Sequence, residues 1–350
     1  MSARRLRPVV LLLFPLLLAA CAPKLQPLGP TIAEPAFGGT LLLMDDGAAM
    51  PLRHWPAEGR AKAVVLAVHG FNEYSKVFEK PAADWAKSGI ETYAYDQRGF
   101  GETSYRGLWA GDERMVKDLK QAATVLHARR PDLPFYVLGE SMGGAVVMAA
   151  ATDRDPLTAD GLILVSAAIW GRESIGPVGS GALWFFANTI PWYTVDGRGL
   201  NIQASDNRQM LKELGRDPLI IKQTRIDAVY GVVGLMDRAW AAAPAMPGRS
   251  LFLYGAKEQV IDDDAAAAML RRLPRGLSGP RVALYPDGYH MLLRDLNGEV
   301  VRRDVVAWIF APEQGLPSTA DLRARRLLNT PSAGLAAAAA SVPGTLPATR

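Results

Sequence analysis

One cysteine, Cys21, stands in 350 residues, so an intrachain disulfide and a cysteine-built metal cluster are both excluded. Histidine is nearly as scarce. His54, His69, His127 and His290 are the only four, and none forms an HExxH pair, so neither a metal nor another cofactor is expected. An excess of one charge is missing too. The net charge of +4 comes from 39 basic and 35 acidic residues, and without Arg4, Arg5 and Arg7 near the start the balance is 36 against 35. That leaves no electrostatic ground for a nucleic-acid partner, and no obligate protein partner is expected. Mean hydropathy is +0.05, too low for a polytopic membrane protein. What remains, 49% hydrophobic and 21% charged residues, is ordinary globular composition.

The three arginines precede an apolar run, Val9–Ala20, about half as long as a membrane-spanning helix and interrupted at Pro15. A basic start, a short apolar stretch and small residues at its end read as a secretory signal over 1–20. Leu18-Ala19-Ala20-Cys21 resembles the bacterial lipobox, in which the cysteine is lipidated and becomes the first mature residue. The expectation is a membrane partner through lipidated Cys21, because several acyl chains on one residue anchor stably where one does not. With Ala22 following, the expected location is the bacterial cell envelope, at the outer membrane in a Gram-negative cell. The proline-rich, polar stretch to residue 35 reads as a tether.

Short apolar runs at 40–44 and 50–55 flank Asp45-Asp46-Gly47, a hairpin signal. Runs at 63–68, 91–95, 134–138 and 162–166 then alternate with helical stretches, and 251–254 and 282–285 complete the strand candidates. The first of these, AVVLAV, suits a strand buried on both faces of a parallel sheet. Asp112 is placed to cap a helix running to Arg130, with Met115, Leu119, Ala122, Ala123 and Leu126 on its apolar stripe. Such alternation predicts the α/β class: an open, doubly wound, mostly parallel sheet with ligands at the carboxyl ends of its strands. It lapses between Trp170 and Pro247, where Trp170, Trp184, Phe185, Phe186, Trp192 and Tyr193 precede helical stretches at 207–214 and 235–243. The predicted organisation is signal peptide 1–20, tether 21–35, core 36–168, cap insertion 169–249, core 250–312, and from 313 a basic helix at 320–328 followed by a disordered tail.

The chemistry centres on Gly139-Glu140-Ser141-Met142-Gly143, between a strand and an apolar helix. A tight strand–turn–helix forces the serine outward, and the helix N-terminus behind it favours developing negative charge. Serine needs a base. His127 lies in the 112–130 helix and His54 in the early hairpin, so only His69 and His290 follow strand ends. In the order serine, acid, histidine, His290 is the base. The acid is expected in the loop after 251–254, where Glu258 is favoured and Asp262, Asp263 and Asp264 read as a helix cap and first turn. The backbone N–H groups of Phe71 and Met142 are the expected oxyanion donors, with His69 supporting the loop. Gly99-Phe100-Gly101 lacks the third glycine of a dinucleotide loop.

The set HGFNEYS (69–75), YDQRGFGETS (95–104), GESMGG (139–144), GAKEQVID (255–262) and DGYHMLLRD (287–295) is similar to the α/β-hydrolase superfamily, and within it to the monoacylglycerol lipase and lysophospholipase group, over about residues 36–312. The resemblance implies an α/β-hydrolase fold with a helical cap at 170–247, Ser141 as nucleophile, His290 as base, and Phe71 and Met142 as oxyanion donors. Its acid is usually aspartate at the position of Glu258; glutamate lengthens the arm by a methylene and leaves Asp262 as the substitute. The implied activity is cleavage of carboxylic esters, on a lipid or acyl-ester substrate such as monoacylglycerol or a lysophospholipid, without a cofactor. The aromatic cap fits, since an acyl chain needs an apolar tunnel. The fold also hosts aminopeptidases, thioesterases and acyltransferases, and a retired hydrolase fold used for binding is the alternative of another class.

Overall fold

The computed structural model describes residues 22–197, 199, 202–276, 278–329 and 334–340. The expected signal segment and Cys21 lie outside the described residues. The chain enters through three antiparallel strands, Ala36–Phe37 (β1), Leu41–Leu43 (β2) and Ala49–Trp55 (β3). The strands Ala63–Val68 (β4), Ile90–Tyr95 (β5), Phe135–Glu140 (β6), Gly161–Val165 (β7) and Ser250–Gly255 (β10) are buried along their whole length. With Arg281–Tyr285 (β11) they form one sheet in the order β1-β2-β3-β5-β4-β6-β7-β10-β11. β3 runs antiparallel to β5, and from β5 to β11 all neighbours are parallel.

The period of two along each strand divides the core into two layers. Val64, Leu66 and Val68 of β4 pack with the helices Asp112–His127 (α2) and Met142–Ala151 (α3), while Ala63, Val65 and Ala67 pack with Trp85 of Glu79–Ala86 (α1) and Val305 and Trp308 of Gly298–Phe310 (α8). From β4 the chain goes to β5 on one side and returns to β6 on the other. The crevice at the carboxyl ends of β4 and β6 is therefore a topological switch point, the usual place for a ligand in such a sheet.

A buried ionic cluster ties the entry hairpin to α2. Arg98 reaches Asp46 and Asp118, each at 2.6 Å, and Arg114 reaches Asp45 at 2.8 Å as well as Asp118. Each buried guanidinium thus has at least two carboxylate partners, which offsets the cost of taking its charge out of water.

Several expectations are corrected. Gly111, with φ of 88°, is the N-cap of α2, because the chain enters there in a left-handed conformation that glycine tolerates; Asp112 is the first helical residue and meets Arg238 at 3.3 Å. The stretch read as a tether is fastened to the domain: Lys24 N–H donates to Asp227 at 3.1 Å, Gln26 N–H to Trp109 O at 2.9 Å, and Ile32 N–H to Asp45 O at 2.8 Å. Its prolines keep it extended, and buried Gln26 plugs it into the loop 99–108. In the cap, Asn207 caps the helix Arg208–Arg216 (α5), and the stretch expected at 235–243 is the end of a longer helix, Ile226–Ala242 (α6). The helix Arg172–Thr189 (α4) is broken at Gly176, and two-residue strands Thr194–Val195 (β8) and Thr224–Arg225 (β9) pair beside it. Asp263–Arg272 (α7) fills the place after β10. The helix Ala320–Asn329 (α9) forms as read, but the tail is not wholly without structure. Leu335–Ala340 (α10) is helical, Leu335 is buried, and its N–H donates to Asp263 at 2.8 Å.

Candidate active site

The turn from β6 into α3 carries Ser141 with φ 54° and ψ −119°. For a side chain with a Cβ this left-handed conformation costs on the order of 1–3 kcal/mol, held by the packing around it. That packing has no room for side chains. A Cβ on Gly143 would lie 2.1 Å from Val68 O, and one on Gly139 would lie 2.4 Å from Gly143 O. The tight turn is thus the reason for Gly139, and the close approach of α3 to β4 the reason for Gly143.

Across the crevice, the loop after β11 presents His290. Its Nε2 is 3.0 Å from Ser141 Oγ, and its Nδ1 is 2.8 Å from Glu258 Oε2. Glu258 follows β10 and is buried. Its other oxygen accepts the N–H groups of Val260 at 2.7 Å and Ile261 at 3.1 Å. Asp262 faces elsewhere and caps α7, accepting Ala265 N–H at 2.9 Å. The five residues read from the sequence therefore meet at one point: Ser141, His290 and Glu258 in a hydrogen-bonded row, with Phe71 and Met142 beside it. A Cβ on Gly70, next to Phe71, would touch Ser141 Cβ at 3.2 Å. Met142 opens α3, so its N–H has no partner within that helix, and neither it nor the Phe71 N–H donates to another group among the described residues.

His69 braces this loop. It is fully buried, donates from Nδ1 to Gly70 O at 2.8 Å, and accepts Gln97 N–H on Nε2 at 2.9 Å. Burial lowers its pKa and outweighs the nearby carboxylates, so it stays neutral. Asp96, in the motif YDQRGFGETS, accepts Ser75 N–H at 3.0 Å and Glu102 N–H at 2.9 Å, joining two loops of the crevice. His54 bonds Glu91 at 2.8 Å and His127 stacks on Phe135, both away from the serine.

Burial alone would depress the His290 imidazole. The Glu258 carboxylate, with Glu140 and Glu73, overcomes it and raises the pKa above the usual 6.5. Glu258 is pushed the other way. Burial disfavours its charge, but His290 and the two backbone N–H groups hold it below its usual range.

Sequence reasoning missed one part of the site. Arg294 is buried behind the row and donates to Glu73 at 2.8 and 3.1 Å and to Glu140 at 3.2 Å. Asp295, beside it, accepts Tyr289 N–H at 2.7 Å and Ser205 Oγ at 2.6 Å, so it fixes the backbone just before His290. Both residues end the motif DGYHMLLRD; their charge in an apolar run was the available signal. The aromatic cap also departs from expectation. Trp184, Phe185, Phe186, Trp192 and Tyr193 face solvent instead of lining a tunnel. The apolar space beside Phe71 is lined by Phe100, Trp109, Ile221 and Ala228, and holds about 10 Å³. Residues 198, 200 and 201 of the cap and Cys21 lie outside the described residues.

The comparisons agree with this architecture. A family model described as Serine aminopeptidase, S33 matches residues 59–297. The monoglyceride lipase of Rattus norvegicus is 25% identical over 262 residues, covering 73% of this chain and 84% of that protein. The monoacylglycerol lipase of Mycolicibacterium smegmatis is 23% identical over 291 residues, 80% of this chain and 97% of that one. Among solved structures, a soluble variant of monoglyceride lipase from Saccharomyces cerevisiae superposes with a TM-score of 0.63 at 19% identity, over 82% of this chain and 96% of the other. With the matched model spanning the crevice loops from β4 to the end of the His290 loop, the chain belongs to the Serine aminopeptidase, S33 family and is an enzyme of the α/β-hydrolase fold.

Proposed function

We propose that this chain is a serine hydrolase of carboxylic esters that cleaves the acyl ester of a monoacylglycerol or lysophospholipid through an acyl-enzyme on Ser141, held at a membrane by lipidated Cys21. The observation that carries the reading is the row Ser141–His290–Glu258 at 3.0 and 2.8 Å. In this reading His290 Nε2 takes the Ser141 proton as Oγ attacks the acyl carbonyl. Phe71 and Met142 N–H groups receive the oxyanion. His290 then gives its proton to the departing alkoxide, and a water repeats the sequence to release the fatty acid. Glu258 holds the imidazole in the accepting tautomer and supports its cationic form. No metal or cofactor is needed.

Support for a lipid ester comes from relatives named for monoglycerides. The family's description points to an aminopeptidase as the second reading. Such an enzyme needs a free carboxylate to receive an α-ammonium group. Next to the elbow, Glu73 gives both oxygens and Glu140 one oxygen to Arg294, which favours the ester. The test is labelling by a fluorophosphonate, followed by rates on p-nitrophenyl esters of rising chain length, monoacylglycerol, lysophosphatidylcholine and an aminoacyl p-nitroanilide. Labelling at Ser141 with turnover of the acyl esters is expected. Preferred cleavage of the anilide would overturn the ester reading. The mass of the mature protein tests acylation of Cys21.

A further inference from the structure

The fastened N-terminal segment has a consequence for how the enzyme meets a membrane. From Ser174 to Val195 the cap carries 22 residues without a charge. Within that stretch Trp184 is 56% exposed, Phe185 53%, Trp192 56% and Tyr193 57%. They flank one backbone turn: Ile190 N–H donates to Phe186 O and Tyr193 N–H to Ile190 O, each at 2.9 Å, turning the end of α4 into β8. A monomer in water gains nothing by exposing so large an apolar patch. No described helix is long and apolar enough to cross a membrane, so the patch is not a span.

The same surface is where the chain's beginning is fixed. Ile226 N–H donates to Tyr193 O at 2.8 Å and Asp227 N–H to Pro191 O at 3.3 Å, which seats the Trp192–Tyr193 turn on the start of α6. Asp227 in turn accepts the backbone N–H of Lys24 at 3.1 Å. Two residues, Ala22 and Pro23, lie between Lys24 and Cys21, and the three Cα steps reach at most about 10 Å. Leu25 and Leu28, further along the segment, are also exposed. A flexible tether would let the domain tumble above its anchor. A segment fastened at residue 24 does not.

We infer that residues 22–33 act as a strap that holds the exposed aromatic edge of the cap, Trp184 to Tyr193, against the lipid bilayer carrying the acyl groups of Cys21. The crevice at the strand ends, which the cap covers, thereby faces the membrane. This rests on the anchoring reading above, but the two can fail separately. Trp and Tyr suit the headgroup level, where one end of the ring is apolar and the other wet.

The experiment uses the chain's single cysteine. In the Cys21→Ser protein, Tyr193→Cys or, at an exposed turn on the opposite end of the sheet, Asp132→Cys is labelled with an environment-sensitive fluorophore. Vesicles of phosphatidylethanolamine and phosphatidylglycerol are then added. The label at 193 is expected to brighten and shift to the blue, and the label at 132 to stay unchanged. Replacing Trp184, Phe185, Trp192 and Tyr193 together by serine should reduce co-sedimentation of the Cys21→Ser protein at least tenfold, with the melting temperature showing that the variant is folded. In the acylated protein, a twenty-residue Gly/Ser insertion after Ala22 should reduce crosslinking of a photoreactive lipid to the 184–193 peptide severalfold. Equal sedimentation of the serine variant, or an unresponsive label at 193, overturns the docking face. Undiminished crosslinking after the insertion overturns the strap. An unacylated mature protein would instead defeat the anchoring reading, while the Cys21→Ser measurements still decide the docking face.

Discussion

Glu258 divides its carboxylate between two tasks, meeting His290 Nδ1 at 2.8 Å with one oxygen and the N–H groups of Val260 and Ile261 with the other. The second task occupies the longer arm of Glu258, the residue read as the acid at a position where the resemblance implies aspartate. The extra methylene is taken up by a turn that closes on the carboxylate itself. One oxygen is therefore pinned by the backbone before His290 is considered, the other is left to the imidazole, and the lowered pKa keeps the carboxylate charged beside it.

Removal of the proposed nucleophile should separate chemistry from folding. Ser141→Ala is expected to lower kcat for ester hydrolysis by a factor on the order of 10⁶ and to abolish fluorophosphonate labelling. Its melting temperature should not fall, because the left-handed backbone at 141 is set by its neighbours and alanine carries the same Cβ. Residual activity within tenfold of wild type would make the elbow a structural turn.

The glycines of the elbow make the opposite prediction. Gly143→Ala places a Cβ 2.1 Å from the Val68 carbonyl, and that oxygen belongs to a central strand that cannot retreat. A loss of about 3 kcal/mol or more is expected in urea unfolding. A variant as stable as wild type would mean that β4 and α3 sit further apart than described.

Much of the fold could be read from residues because each local signal agreed with the global one. The run AVVLAV is buried on both faces as β4, and GESMGG joins a strand to a helix. That Ser141, His290 and Glu258 meet was legible for three different reasons: a strand–turn–helix around the serine, four histidines of which two follow strand ends, and a loop after a late strand that offers Glu258 ahead of Asp262. The strap at 22–33 was not legible. Proline and polar residues describe a free linker and an extended segment bonded to a surface equally well, and the bonds to Asp227 and Trp109 join residues far apart in the chain. The Glu73–Arg294–Glu140 group was hidden for the same reason. Its three members lie in three separate motifs, and no spacing rule brings them together.

That buried group enters the pH dependence. In the proposed mechanism His290 must be neutral to accept the serine proton, so kcat/KM should fall as pH drops through its pKa. Burial lowers that pKa, but Glu258, Glu140 and Glu73 raise it above the usual 6.5, so the acid limb should be centred above pH 6.5. Glu73→Gln removes one of the carboxylates that stabilise the imidazolium. The limb should then move to lower pH, read from kcat/KM on a soluble ester whose own ionisation is constant. A limb that stays in place, or moves up, would show that Glu73 exerts no field at His290.

The acid itself gives the sharpest contrast. Glu258 accepts the proton on His290 Nδ1, which leaves Nε2 free to receive the one on Ser141. Glu258→Gln reverses this. The amide oxygen is drawn to the Val260 and Ile261 N–H groups, so the NH₂ faces Nδ1 and donates to it. The ring proton then resides on Nε2, the wrong side for a base. kcat should fall by roughly 10³–10⁴ with little change in KM, because the lost interaction matters in the transition state. Asp262 has a different duty, capping α7 through Ala265 N–H at 2.9 Å. Asp262→Ala should therefore cost about 1 kcal/mol of stability and leave kcat at the wild-type level. An active Glu258→Gln enzyme beside an inactive Asp262→Ala enzyme would transfer the orienting role to the later carboxylate and require the loop after β10 to rearrange when substrate binds.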